Sequence, residues 1–170
     1  MYAEPLILTL KLDAASFRLF DDLRRAHFPA ERNLIPAHVT LFHHLPGPQA
    51  EAIRGDLRRV CRDTEPFPVE VNAIKSLGRG VAYHLRSRAL DELRDRLSDL
   101  WFDWLLPQDR QGFRPHVTVQ NKVEPKLAKE TLTLLQASFT PFTARGEGLL
   151  LWRYLGGPWE PVAETLFRRG

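Results

Sequence analysis

Pro36-Ala37-His38-Val39-Thr40-Leu41 and Arg114-Pro115-His116-Val117-Thr118-Val119 decide how this chain is read. Each stretch carries His-Val-Thr shortly after a proline. Laid on one another, the two stretches are followed by the same order of elements. That order is a strand, a proline-containing turn, a helix, a Pro-Phe pair, a strand, a turn and a strand. Pro66-Phe67 in the first half answers Pro141-Phe142 in the second, and the two offsets agree within three residues. The helices expected before each motif, 16–27 and 90–106, correspond as well. Two copies of one motif half a chain apart point to a duplicated unit.

Working outward, Leu6 to Leu12 is almost continuously apolar and predicts a strand buried on both faces. Strands are also expected at 38–45, 67–77, 81–85, 113–123, 142–154 and 159–167, and helices at 49–62 and 125–139. Gly78-Arg79-Gly80 marks a hairpin. Residues 107–112 read as a loop. The pattern predicts an α+β protein, one domain over 1–170 with two pseudo-symmetric lobes. Its antiparallel sheets line a central cleft and its helices lie outside.

Composition narrows the class. A chain of 170 residues with 44% apolar and 26% charged residues can build its own core. The single Cys61 excludes an internal disulfide and, without a matched base, argues against a thiol nucleophile. The net charge of +3 is too small for a coat on duplex nucleic acid. Arg24-Arg25, Arg58-Arg59 and Arg168-Arg169 are pairs rather than runs, and the two helical pairs read as solvated faces. No signal peptide and no long apolar run is evident, so a cytoplasmic monomer without membrane contact is expected. No glycine-rich phosphate cradle is present, which speaks against ATP use.

On a strand, residues i and i+2 share a face. His38 therefore projects with Thr40, and His116 with Thr118. If the halves pack about a pseudo-two-fold axis, two imidazoles and two hydroxyls meet in the cleft. One neutral and one protonated histidine on opposite sides of a phosphorus atom suit an in-line displacement. The threonine hydroxyls can donate to phosphoryl oxygens. Continued alternation puts Phe42 and His44 on the face of His38, with Phe42 as the leading base-stacking candidate and His44 as either a substrate contact or a solvated strand end. Tyr83 and Trp152 lie on strands expected to form the cleft, where each either stacks on a base or packs in the core. Arg114 either supplies charge near the cleft or lies on the surface. His84 and His27 read as surface or capping residues. His43 and His44 beside His38 lack a matching carboxylate or thiol cluster, so no metal is expected.

Phe113-Arg114-Pro115-His116-Val117-Thr118, paired with Asn33 to Leu41, resembles the two His-x-Thr/Ser motifs of the two-histidine (2H) phosphoesterases. That family includes 2′-5′ RNA ligase-like proteins and cyclic nucleotide phosphodiesterases. The resemblance spans nearly the whole chain in element order. It implies a bilobal fold and hydrolysis or ligation at 2′,3′-cyclic or 2′-5′ phosphodiesters without metal or cofactor. The partner would be a nucleotide or RNA end. It also implies that His38 and His116 are the acid–base pair and that Thr40 and Thr118 bind phosphate. Phe42 and Asn121 stand where many members carry a basic residue, which leaves the substrate open. The rival expectation is a module that grips an RNA end or nucleotide in the same cleft without turning it over.

Overall fold

Leu6–Leu12 forms strand β1, and Asp13 then turns the chain into helix α1 (Ala14–His27). The Asp13 carboxylate accepts the Ser16 N–H at 3.1 Å, satisfying one of the donors that a helix start leaves free. Ser87 does the same for the helix of the second half, its Oγ accepting the Leu90 N–H at 3.2 Å. The computed structural model describes residues 2–168. The remaining elements are β2 (Thr40–Leu45), α2 (Ala50–Arg62), β3 (Phe67–Ser76), β4 (Val81–Arg86), α3 (Arg88–Trp101), α4 (Pro107–Arg110), β5 (His116–Gln120), α5 (Pro125–Ser138), β6 (Phe142–Tyr154) and β7 (Trp159–Leu166).

All the strand pairs are antiparallel, in the order β2-β1-β6-β3-β4-β5, with β7 also on β6. The path is the same from either end. β2-β1-β6 answers β5-β4-β3, and each set takes its third strand from the other half of the chain. β6 holds the two sets together. One of its edges pairs with β1, and the other with β3 over residues 142–146 and then with β7 over 148–154. One apolar cluster fills the space between sheet and helices, with Leu8, Leu10, Phe20, Val39, Leu41, Phe42, Leu85, Leu97 and Trp101 among its members. Among the described residues no helix is long and apolar enough to cross a membrane.

Several expectations are corrected. β2 starts at Thr40, two residues after His38, although the Leu10 N–H still donates to the Val39 carbonyl at 2.9 Å. The helix expected to run to 106 stops at Trp101 and continues as a 3-10 turn, and the following loop contains α4. β5 is shorter than expected and ends before Lys122, whose φ of 62° lies in the left-handed region. Arg169 of the expected arginine pair lies outside the described residues.

The alternation expected along β2 fails for a local reason. Thr40 lies opposite Thr9 and Phe42 opposite Leu8, so Leu41 is an extra residue on β2. Thr9 and Leu8 are consecutive and face opposite sides, so Thr40 and Phe42 do too. Phe42 is thereby turned into the core at 0% exposure, edge-on to Trp101 at 5.2 Å and beneath the Arg94 guanidinium at 4.0 Å. No base can stack on it. Phe42→Ala is expected to cost about 3–5 kcal/mol of stability, read as a lowered urea midpoint.

Candidate active site

The two histidines are held alike. His38 donates Nδ1–H to the Pro36 carbonyl at 2.8 Å, and His116 donates Nδ1–H to the Arg114 carbonyl at 2.9 Å. A carbonyl oxygen only accepts, so each neutral ring carries its proton on Nδ1 and keeps the Nε2 lone pair for other work. Thr40 and Thr118, two residues on, are both half-buried. The segment before His38 is fixed from α1, where the Asp21 carboxylate accepts the Ala37 N–H at 2.9 Å.

Two buried arginines join the halves. Arg24 on α1 donates from Nε to Asn33 Oδ1 at 2.7 Å and from Nη1 to the Thr118 carbonyl at 2.9 Å. Arg94 on α3 donates from Nε to the Leu41 carbonyl at 2.8 Å and from Nη2 to the Asp109 carbonyl at 2.7 Å. Each arginine thus ties the segment leading to its own half's histidine to the His-Val-Thr strand of the other half. Arg24 is 3% and Arg94 6% exposed. The expectation of a solvated Arg24 is therefore wrong. Its position one helical turn beyond Phe20 on the apolar stripe was the available signal, and Arg94 stands likewise one turn beyond Leu90.

Asp109, which sequence reasoning missed, secures β2 at a second register shift, where His43 and His44 lie between Phe42, opposite Leu8, and Leu45, opposite Leu6. Its carboxylate accepts the backbone N–H groups of His43 and His44, each at 2.9 Å, and the His43 Nδ1–H at 3.1 Å. Burial pushes this carboxyl up, but those hydrogen bonds outweigh it and hold it below the usual range.

The two histidines differ in exposure. His38 is half-buried with the Trp159 ring 4.7 Å away, whereas His116 is exposed. Burial is the main cause that lowers the His38 pKa to about 4. The charges of Arg24, His116 and His43 add to it, and the bond to Pro36 opposes it. The contribution from His116 puts that ring within electrostatic reach of His38. Beside His38 lies a cavity of about 300 Å³ bordered by Phe17, Pro36, Glu147, Leu150 and Trp152.

The remaining candidates separate. Trp152 reaches this cavity and donates Nε1–H to Thr9 Oγ1 at 2.9 Å. Tyr83 does not form the cleft. It lies between Ala82 and His84, opposite Val117, and alternation turns it inward onto Phe20 and Phe139 at 5.4 and 5.8 Å. His44 and Arg114 are exposed and lie outside the cavity's lining. Trp159 escaped the sequence reading because only the β6–β7 pairing carries it to His38. Among the described residues no three His, Cys, Asp or Glu side chains are grouped to hold a metal ion.

Twin histidine strands related across a pseudo-symmetric antiparallel sheet define a class of phosphoesterase fold. The 2′-5′ RNA ligase superfamily model matches residues 12–158, and the chain belongs to that superfamily of two-histidine phosphoesterases. No curated protein matches by sequence. Among solved structures, a phosphoesterase is 18% identical with a TM-score of 0.66, covering 99% of this chain and 100% of its own. TT0787 of Thermus thermophilus is 15% identical with a TM-score of 0.69, covering 96% and 98%. Escherichia coli LigT complexed with 3′-AMP is 18% identical with a TM-score of 0.62, covering 98% and 99%. At these identities the likeness is one of fold.

Two measurements check the site. In a histidine NMR titration, His38 is expected to protonate near pH 4. Arg24→Gln removes a neighbouring cation and is expected to move that midpoint upward.

Proposed function

We propose that this protein is a metal-independent phosphodiesterase that opens 2′,3′-cyclic phosphates or related RNA and nucleotide phosphodiesters by two-histidine acid–base catalysis. The observation that carries this is the matched pair of Nδ1–H bonds to carbonyls two residues back, 2.8 and 2.9 Å long. A structural histidine has no need of such a pairing, whereas an acid–base pair needs both Nε2 atoms free and both rings fixed.

His38 suits the base. With its pKa lowered to about 4, it is neutral over the physiological range. Its Nε2 takes a proton from water as the water oxygen bonds to phosphorus. The bond from phosphorus to one ribose oxygen breaks, and His116 gives that oxygen its proton. Proton exchange with solvent then resets both rings. Thr40 and Thr118 donate hydroxyl hydrogen bonds to the non-bridging oxygens, where negative charge builds. With a ribose 5′-hydroxyl in place of water as the nucleophile, the same displacement joins two ends, and departure of the 3′ oxygen leaves a 2′-5′ linkage. The cavity beside His38, with Trp152 on its wall, offers an apolar surface to the nucleoside. The complex of LigT with 3′-AMP agrees with a nucleotide as ligand.

Incubation with the four nucleoside 2′,3′-cyclic phosphates in EDTA, followed by phosphorus NMR, tests this. Turnover is expected to survive the chelator and to fall about 10²-fold or more in both His38→Ala and His116→Ala. Absence of turnover with tight nucleotide binding would replace the enzyme by a binding module. The pH dependence has a definite sign. The base works unprotonated, so kcat/KM is expected to hold as pH falls below the ordinary histidine range and to drop only near pH 4.

A further inference from the structure

The strand face that carries His116 holds a third imidazole outside the two motifs. β4 and β5 place His84 directly opposite His116. One residue beyond that pair on each strand, the Leu85 N–H donates to the Pro115 carbonyl at 3.0 Å. His84 and His116 are therefore a non-hydrogen-bonded pair, the kind whose Cα atoms come within about 4.5 Å with both side chains on one face. β3 adds Asn72, an extra residue between Val71, opposite Leu85, and Ala73, opposite His84. This bulge brings Asn72 Oδ1 to 2.8 Å from His84 Nδ1. The amide oxygen accepts, so Nδ1 carries the proton and Nε2 keeps its lone pair.

His84 is half-buried, and burial is the first cause holding its pKa below the usual value, followed by the charges of Lys75, His116 and Arg86. A neutral ring with an unprotonated Nε2 accepts a hydrogen bond and has no proton there to offer an anionic oxygen. A hydroxyl suits it, and the ribose beside a nucleotide phosphate supplies one.

We infer that His84 determines specificity: its Nε2 accepts a hydrogen bond from the ribose hydroxyl left free beside the phosphate in a 2′-5′ linkage or in an opened cyclic phosphate, so the site holds such ends more tightly than their deoxy counterparts. This rests on the proposed function and adds to it the residue that reads the free hydroxyl.

Calorimetric titration with adenosine 3′-monophosphate and its 2′-deoxy analogue tests the inference without relying on turnover. The wild-type protein is expected to bind the ribonucleotide about five- to tenfold more tightly. His84→Ala is expected to lose this preference by weakening the ribonucleotide alone. His84→Gln, whose side-chain oxygen reaches the Nε2 position, is expected to restore it. Asn72→Ala, which releases the ring, is expected to reduce it and decides the matter if His84→Ala does not fold. Equal binding of the two nucleotides by the wild type, binding of neither, or a preference undiminished in His84→Ala and Asn72→Ala overturns the inference. So does equal weakening of both nucleotides, the mark of a purely structural role. Chelator-resistant opening of cyclic phosphates is scored separately, so the catalytic proposal and the sugar preference stand or fall apart.

Discussion

The site depends on two buried guanidinium groups that reach across the molecule. Arg24 holds the Thr118 carbonyl and Arg94 holds the Leu41 carbonyl, each from a helix of the opposite half. A buried cation is tolerated only when its donors are satisfied. Here the acceptors are backbone carbonyls and an asparagine oxygen, and two of them, the Thr118 and Leu41 carbonyls, do not move without moving the strands. Each arginine also lies over an aromatic ring, Arg24 over Phe28 and Arg94 over Phe42, both at 4.0 Å. The spacing of the two histidine strands is thus set by hydrogen bonds in the interior rather than by surface ion pairs.

The motif strands are legible in the sequence because their chemistry is local. His-Val-Thr after proline twice over, a strand period of two and helices with clear apolar stripes define the elements and the duplication. What fails is non-local. Counting in twos assigns Phe42 to the cleft, and the extra residue Leu41 in the ladder with β1 reverses it. Tyr83 is placed by its strand alone, before the partner strand can say which face is which. Arg24 looks like half of an exposed pair because its acceptors, Asn33 and the Thr118 carbonyl, lie nine and 94 residues away. The exchange of third strands between the halves has no signature in any local window.

Symmetry also has a limit that matters for chemistry. β7 pairs with β6 and, among the described residues, has no counterpart in the set β5-β4-β3. It delivers Trp159 to His38, while His116 stays open to solvent beside His84. A single added strand makes the two copies of the motif unequal, with one imidazole against an indole ring and its twin in water.

The exchanged third strands bear on how such a molecule could have arisen. Half of this chain, from β1 to β3, carries one His-Val-Thr motif and a strand that finds its place only in the other half's sheet. A free polypeptide of that length could complete its sheet only by trading β3 with a second copy. Two identical copies trading strands would build the β2-β1-β6 and β5-β4-β3 frame with one histidine from each. Gene fusion would then turn an obligate strand-swapped dimer into one chain, free for the first time to let its two histidines diverge.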